Sequence, residues 1–290
     1  MPLARSSFAK VNLLLNVLGR RPDGFHELET VLLPVAVADE LSAERGGTGI
    51  ALTCNQAGLP TDSGNLVHRA AQAFLSRTGI REGLRIHLEK RLPLEAGMGG
   101  GSSNAAVTLL LLNDLFGAAL APAEVTALAA GLGSDVPFFL ESGPALATGR
   151  GERIERLEPF AALRGAWLCL VHPGFGVSTP WAYRELGGFP DALGGRPGRA
   201  RGLIELLQTA DARRAGAAFY NALEAPVFSK YPILKLLQEH LRQMDPWGVL
   251  MSGSGSTTFS IWRDEGLARS AEAAVRQRFG QACWTAVLPV

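Results

Sequence analysis

Four glycines and two serines fall within seven residues, Gly97-Met98-Gly99-Gly100-Gly101-Ser102-Ser103, between a predicted strand and a predicted helix. Glycine lets a backbone approach an anion closely and take positive φ. A helix N-terminus adds unpaired N–H groups and a partial positive charge. A flexible loop is the alternative, but glycines followed directly by serines and a helix favour a phosphate-binding loop.

The glycine-rich segment matches neither of two familiar nucleotide motifs. A Walker A loop needs a lysine after its glycines, and none follows here. A Rossmann fingerprint would place its last glycine at Ser102 or Asn104. The segment therefore predicts a phosphate loop of a different kind, as in another class of kinase.

Lys10 and Asn12 lie two residues apart in a predicted strand at residues 8–18, so their side chains share one face. That strand is otherwise apolar, and a lysine buried there needs a partner because an unpaired buried charge is costly. Asp135, in a second apolar setting, is the candidate, and an N-cap is its alternative role. The residues alone support a solvated lysine and a capping aspartate as well as a catalytic pair.

The elements that must position these residues are strands and helices in alternation. A helix ending at a glycine cap is predicted at 64–79, and a half-buried strand at 84–89. The next helix should begin at Ser102, Ser103 or Asn104 as N-cap and end at Gly117. Further predictions are a short helix at 122–130, helices near 203–220, 227–243 and 265–279, and a last strand at 283–288.

The second half of the chain carries strands and helices of its own. We therefore predict two domains, residues 1–158 and residues 159–290. The second of these domains contains a Gly/Pro/Arg-rich stretch at 187–202, which predicts a mobile loop. Its arginines would act on substrate phosphates or only keep the loop soluble, and the sequence leaves both open.

Charge and cysteine content narrow the classes of function. The 290 residues include 28 Lys+Arg against 27 Asp+Glu, so no global field attracts nucleic acid or an anionic membrane. Three dispersed cysteines and the lack of a signal-peptide pattern or a membrane-length apolar run predict a soluble cytoplasmic protein. Near-neutral charge permits either a monomer or a homodimer.

Three motifs, in order along the chain, resemble those of the GHMP kinases, the superfamily of galactokinase, homoserine, mevalonate and phosphomevalonate kinases. They are AKVNLLLNVLGRRPDGFHEL at 9–28, the P-x-x-x-G-[LM]-[GS]-[GS]-[GS]-[SA] loop from Pro93, and MSGSGSTTF at 251–259. The resemblance covers the whole chain. It implies an α+β fold of two domains with the active site in the cleft between them. The first domain would resemble domain 2 of ribosomal protein S5, and the second would be ferredoxin-like.

The resemblance also implies an ATP-dependent small-molecule kinase that uses Mg²⁺. Lys10 and Asp135 would be catalytic: Asp135 accepts the proton of the substrate hydroxyl, and Lys10 keeps Asp135 ionised. The residues expected to bind the ATP phosphates are Pro93, Leu94, Glu95, Ala96, Gly97, Met98, Gly99, Gly100, Gly101, Ser102 and Ser103. No residue is assigned as a metal ligand, and the Ser103 hydroxyl is only a candidate.

Within the superfamily, PDGFHEL, GGGSSNAA and GSDVPFF resemble the group that phosphorylates the 2-hydroxyl of a cytidine-diphosphate-linked methylerythritol, in the non-mevalonate isoprenoid pathway. In that group His26 would bind the cytosine edge and Phe25 would stack on the base. This chain departs from the group at Phe25, where tyrosine is usual. The full set of expected substrate contacts is Asn12, Phe25, His26, Thr179, Tyr183, Gly253, Ser254 and Gly255.

Several alternatives stay open. Tyr183 would face Phe25 across the base or be an ordinary half-buried helix aromatic, and residues 253–257 would face substrate phosphates or form a tight hairpin. The chain as a whole could be a homoserine- or mevalonate-type kinase, but such enzymes have no need of the PDGFHEL aromatic and histidine. A ligand-binding member without activity would have no use for Lys10 and Asp135 as a catalytic pair.

Overall fold

The structure is a computed structural model that describes residues 2–209 and 211–290. The chain forms two compact units that are interleaved in sequence. Unit 1 contains the first residues up to Ala9, Ala38–Leu92 and Gly99–Ser142, and unit 2 contains Lys10–Val37, Pro93–Met98 and Gly143–Val290. The predicted boundary between two domains at 158/159 stays a prediction.

Unit 1 is a sheet covered on one face by helices. Its elements are β1 (Leu3–Arg20) and β2 (His26–Arg45), which both continue into unit 2, then β3 (Ile50–Cys54), α1 (Leu66–Thr78), β4 (Leu84–Glu89), α2 (Gly100–Leu115) and α3 (Pro122–Leu132). Strand β4 pairs antiparallel with the end of β2 and parallel with β3. Leu84, Ile86 and Leu88 of β4 point inward and pack with apolar residues of the three helices.

Helix α1 confirms the predicted helix at 64–79 and its glycine C-cap, and the structure adds an N-cap that was not predicted. The Asn65 side chain accepts a hydrogen bond from the Val67 N–H, and Gly79 takes a left-handed conformation at φ 71° directly after the last turn. The predicted strand at 84–89 and the helix beginning at Pro122 are confirmed as β4 and α3.

Unit 2 contains a second sheet. Its elements are β5 (Ala145–Gly149), β6 (Arg153–Arg156), β7 (Trp167–His172), α4 (Thr179–Glu185), α5 (Pro190–Leu193), α6 (Arg199–Gln208), α7 (Ala212–Ala217), β8 (Tyr220–Asn221), α8 (Glu224–Lys230), α9 (Pro232–Arg242), β9 (Gly248–Met251), β10 (Thr258–Trp262), α10 (Glu265–Phe279) and β11 (Trp284–Pro289). The second sheet contains four of these strands in the order β11-β7-β10-β9, and neighbouring strands are antiparallel. Helices connect β7 to β9 and β10 to β11, which is the ferredoxin-like β-α-β-β-α-β arrangement expected for the second half.

Apolar residues of α9 and α10 form the core on this sheet, and two of the three cysteines lie in it. All three cysteines are free. Burial raises the pKa of the Cys169 thiol to about 12, so this side chain behaves as a small apolar group rather than as a nucleophile.

The remainder of unit 2 is built on β1 and β2. Leu28–Leu32 of β2 pair antiparallel with Ala145–Gly149 of β5, and β8 adds to β1 in parallel through Leu14 and Leu15.

Two predicted helices in unit 2 are each divided. The one near 227–243 is split into α8 and α9 at Tyr231 because Pro232 starts a new helix. The one near 203–220 is divided into α6 and α7, and residue 210 of that prediction lies outside the described residues.

Helix α2 begins earlier than predicted. Its first residue is Gly100, its N-cap is Gly99 at φ 70°, and no side chain caps it, so Ser102, Ser103 and Asn104 lie inside the helix. The reason is that the left-handed backbone of Gly99 turns the chain into the helix, so no capping side chain is needed.

The stretch 187–202, predicted as a loop, contains α5 and the first turn of α6. The Glu29 carboxylate accepts hydrogen bonds from the Gly198 and Ala200 N–H groups at 3.1 Å each, so a distant acid occupies the N-terminus of α6. Over the part of the chain that the structure describes, no helix is both long and apolar enough to cross a bilayer.

Candidate active site

Lys10 is almost fully buried on β1, with 3% of its surface exposed. Its Nζ donates to Asn12 Oδ1 at 2.6 Å and to the Gly97 carbonyl oxygen at 3.0 Å, and its backbone N–H donates to Met98 O at 3.0 Å. A buried ammonium needs such acceptors. The solvated-lysine alternative is therefore wrong: the side chain is held against the glycine-rich segment.

Asn12 connects Lys10 to the neighbouring strand. Its amide Nδ2 donates to Thr30 Oγ1 at 2.8 Å, and Thr30 donates in turn to the Leu14 carbonyl. Its Oδ1 is the acceptor for Lys10 and is buried with it. The amide is thus fixed at both ends, and its orientation determines where the Lys10 ammonium lies.

Residues 93–98 of the glycine-rich segment pack against the second glycine and serine loop, residues 252–257. Ser252 Oγ donates to the Gly97 carbonyl at 3.0 Å, and the Thr257 N–H donates to Ala96 O at 3.3 Å. Gly97 has φ 72°, and a Cβ on it would lie 2.0 Å from Ser252 O. Glycine is therefore required at position 97 both by its conformation and by the space.

The rest of the segment forms the first turn of α2 in unit 1. With no capping side chain and no acidic residue in its first turn, this helix leaves its first N–H groups to a ligand or to water. These donors and the positive end of the helix dipole suit a phosphate group.

Sequence patterns did not predict a buried ion pair that lies beside the start of α2. Lys90 Nζ bonds to Asp39 Oδ2, with 5% and 0% of the two side chains exposed. The carboxylate also accepts from Asn104 Nδ2 at 3.0 Å and from the Arg91 and Leu92 N–H groups at 2.8 and 2.9 Å. Asp39 thereby ties the end of β4 to the first turns of α2. The available signal was Asp39, which follows the apolar run VAVA at 35–38.

Asp135 belongs to unit 1 and lies in the turn before a short 3₁₀ helix, Pro137–Leu140. The N-cap of that helix is Val136, without a side-chain cap, so the capping role weighed for Asp135 is not realised there. Lys10 belongs to unit 2. The catalytic pairing of the two residues stays a prediction.

The hairpin between β1 and β2 carries the residues expected to bind a base. His26 stacks on Tyr183 with ring centroids 5.2 Å apart and an interplanar angle of 28°. Burial, with a smaller contribution from Arg20, lowers the pKa of His26 below its usual value, so the neutral ring is favoured at pH 7. A neutral imidazole offers one donor and one acceptor, as recognition of a base edge requires.

Phe25 is half exposed, and the Arg150 guanidinium lies over its ring at 4.6 Å from the centroid. Tyr183 stacks on His26, and the arrangement of Phe25 and Tyr183 as two opposing walls stays a prediction.

The remaining predicted substrate residues lie around the second glycine loop. Thr179 Oγ1 is 2.7 Å from Ser254 Oγ, which joins the start of α4 to that loop. Gly253 and Gly255 are buried, and the Gly253 carbonyl accepts from Asn221 Nδ2 at 2.7 Å. The loop therefore packs more extensively than an isolated hairpin turn would.

Metal-binding side chains are not gathered anywhere in residues 2–209 and 211–290: no group of three or more His, Cys, Asp or Glu is suited to hold an ion. The candidate hydroxyl of Ser103 is buried and accepts a hydrogen bond from Ser7 Oγ at 2.7 Å.

Residues 65–143 match the family model of the GHMP kinases N terminal domain, and residues 203–281 match that of the GHMP kinases C terminal domain. The two matches lie on either side of the predicted boundary at 158/159.

Curated relatives and solved structures cover almost the whole chain. The 4-diphosphocytidyl-2-C-methyl-D-erythritol kinase of Pelotomaculum thermopropionicum is 41% identical over 93% of this chain and 92% of its own length. The enzyme of that name from Deinococcus radiodurans is 43% identical over 93% and 87%. A crystal structure of 4-(cytidine 5'-diphospho)-2C-methyl-D-erythritol kinase aligns with a TM-score of 0.78 at 38% identity, covering 99% of this chain and 100% of that one. A homoserine kinase from Cytophaga hutchinsonii, at 19% identity and a TM-score of 0.73 over 97% and 94%, shares the fold.

Proposed function

Because the chain belongs to the family of 4-diphosphocytidyl-2-C-methyl-D-erythritol kinases within the GHMP kinases, we propose that it phosphorylates that compound. It transfers the γ-phosphoryl group of ATP to the 2-hydroxyl and releases the 2-phosphate and ADP, a step of the non-mevalonate route to isoprenoid precursors. The observation that carries the kinase assignment is the buried Lys10 ammonium, held by Asn12 and the Gly97 carbonyl.

The chemical step needs little covalent assistance from the protein. Phosphoryl transfer passes through a loose transition state, so positioning and charge stabilisation supply most of the rate. The substrate hydroxyl oxygen forms a bond to the γ-phosphorus while the bond to the β-phosphate oxygen breaks. We assign Asp135 as the acceptor of the hydroxyl proton.

Lys10 has two tasks in this proposal. Its positive charge favours the ionised form of Asp135, which a general base requires. It also orients the substrate hydroxyl and offsets negative charge on the transferring group. Its contacts with Asn12 and Gly97 support both tasks, because they hold the ammonium in one place before substrate binds.

The ATP phosphates would bind to residues 93–103. The backbone N–H groups at the start of α2 would donate to phosphate oxygens, and Gly97 and Gly99 allow the close approach of the chain. The Lys90–Asp39 pair would hold the start of α2 close to the end of β4.

Mg²⁺ would accompany ATP. In kinases this ion is bound mostly by substrate phosphates and water, with one or two protein oxygens. When bound, it neutralises charge that develops on the phosphate oxygens. The Ser103 hydroxyl accepts a hydrogen bond from Ser7, which leaves it a second lone pair with which to serve as a ligand.

The cytidine base would bind at the β1–β2 hairpin. Phe25 offers a half-exposed ring for stacking, and neutral His26 offers its donor and acceptor to the base edge. Thr179, Ser254 and the glycines beside Ser254 would contact the sugar alcohol and its diphosphate. Relatives named for this substrate, 41% and 43% identical over most of the chain, support the assignment.

A cytoplasmic location, the absence of nucleic-acid and membrane partners, and a monomeric or homodimeric state remain predictions from composition and charge.

ADP release tests the proposal directly. Purified protein with Mg-ATP would be offered 4-diphosphocytidyl-2-C-methyl-D-erythritol, homoserine, mevalonate and no acceptor in parallel. We expect turnover with the cytidyl compound alone. Turnover with homoserine or mevalonate instead would keep the kinase assignment and exclude the cytidine site, and no turnover with any acceptor would contradict the proposed activity.

A further inference from the structure

The half-exposed ring of Phe25 is covered on one face by a cation from another part of unit 2. The Arg150 guanidinium carbon lies 4.6 Å from the ring centroid. Arg150 occupies the turn between β5 and β6, and Phe25 the turn between β1 and β2. The register explains their meeting: Leu28 of β2 pairs with Gly149 of β5, so the two turns extend from the same end of one ladder.

Both turns are held by backbone hydrogen bonds that do not use the Arg150 guanidinium, although its charge also acts on the carboxylates of Asp23 and Glu152. The Arg150 N–H donates to Glu152 Oε2 at 2.6 Å, and the Gly151 N–H donates to Thr148 O at 3.1 Å. On the other side, the Phe25 N–H donates to Asp23 Oδ1 at 3.1 Å. Removal of the Arg150 side chain should therefore leave both backbone turns in place.

We propose that Arg150 is a positioning residue for base binding, which covers one face of Phe25 so that the base stacks on the other. This inference rests on the proposed function. A planar guanidinium over a ring is attracted by the negative ring face. The contact restricts the rotamers of the Phe25 side chain before the base binds. Less conformational entropy is therefore lost on binding. It fits a chain with phenylalanine at this position, since the ring has no hydroxyl with which to anchor itself.

Binding of cytidine diphosphate, measured by titration calorimetry, tests this role without catalysis. We expect R150A to raise the Kd for cytidine diphosphate by about 2- to 5-fold, the size of an exposed cation–π contact. In turnover, the KM for the cytidyl substrate should rise by a similar factor with kcat unchanged. R150K, which keeps the charge but not the planar group, should recover part of the loss. The matched control is R164A, which removes another exposed arginine of unit 2 and should bind like the wild type.

A double-mutant cycle with F25L separates this role from a general loss of charge. If Arg150 acts through the Phe25 ring, R150A should have no further effect on Kd in the F25L background. If R150A lowers the affinity for cytidine diphosphate equally in both backgrounds, or has wild-type affinity, the inference is overturned and the proposed function stays intact. A wild-type protein that fails to bind cytidine diphosphate would overturn the cytidine site and the inference together.

Discussion

Two parts of unit 2 that serve one proposed substrate are built in different ways. Around Gly97, a lysine with 3% of its surface exposed and a serine both donate to the Gly97 carbonyl, an asparagine accepts from the lysine, and there is no space for a Cβ. Around Phe25, a ring with 50% of its surface exposed is held by a turn and one guanidinium. We refer to these as the phosphate side and the base side.

The difference follows from what each side has to do. Charge stabilisation during phosphoryl transfer is strongest with fixed, desolvated groups, because they need no reorganisation as charge moves. A base is retained by stacking, which tolerates small changes in ring position. Substitutions on the phosphate side should therefore affect kcat and folding, and substitutions on the base side should affect mainly KM.

The largest effect is expected at the chemical step. We predict that Asp135→Asn lowers kcat by at least ~100-fold, because the amide cannot accept the hydroxyl proton. The KM for the cytidyl substrate should change little. Steady-state kinetics measure both constants, and thermal unfolding of the variant checks that it is folded. A folded variant with nearly full activity would show that Asp135 is not an essential base.

The next effect tests how tightly the phosphate side is packed. We predict that Gly97→Ala lowers kcat/KM by at least ~10-fold and destabilises the protein, since its Cβ would meet a backbone carbonyl at 2.0 Å. Gly117→Ala is the matched control: its φ is 73°, but nothing lies within 4 Å of the added Cβ. This variant should destabilise the protein by only about 1 kcal/mol, the cost of placing alanine in the left-handed conformation. Equal loss of stability and activity in both variants would mean that packing around Gly97 is unimportant.

On the base side, we predict that Phe25→Leu raises the KM for the cytidyl substrate by about 5-fold or more, because base–aromatic stacking is worth ~1–3 kcal/mol. Its kcat and unfolding temperature should stay near the wild-type values. Leu236→Ala, which removes another half-exposed apolar side chain of unit 2, provides the control and should leave KM unchanged. A fall in kcat at constant KM in the Phe25 variant would contradict the division between the two sides.

The smallest effect concerns pH. Burial lowers the pKa of His26, so its neutral form persists below the ordinary histidine value of about 6.5. The stability that comes from neutral His26 is present above that value and is lost as pH falls through the lowered pKa. Because KM depends on the protonation of His26 in the folded protein, it should stay flat from pH 8 to below 6.5. It should rise, by at most about tenfold per pH unit, only as pH falls through the lowered pKa of His26.

KM profiles of the wild type and of His26→Asn check this expectation, because the asparagine variant cannot titrate. The same rise in both proteins would exclude His26 as its source.

Much of the fold followed from local patterns. The helix at 64–79 has helical apolar spacing and a glycine cap at its C-terminus, and the strand at 84–89 has strict alternation, so both were predicted and confirmed. Predictions from local patterns were wrong where other contacts determine the local structure. The stretch 187–202 looks like a loop by composition, but Glu29 from β2 occupies the N-terminus of α6. The start of α2 was misplaced because the turn there is made by the backbone of Gly99 rather than by a capping side chain.

For the site, the sequence alone determined the residue types and their order: a lysine and an asparagine on one strand face, a glycine-rich loop before a helix, and an aromatic–histidine pair in a turn. The tertiary structure decided which alternatives are realised. Lys10 is buried against Gly97, Asp39 and Lys90 form an ion pair, and Arg150 covers Phe25. Each of these contacts joins residues more than 50 positions apart. Periodicity and capping act within a few residues, whereas desolvation and close packing depend on which segments the fold brings together.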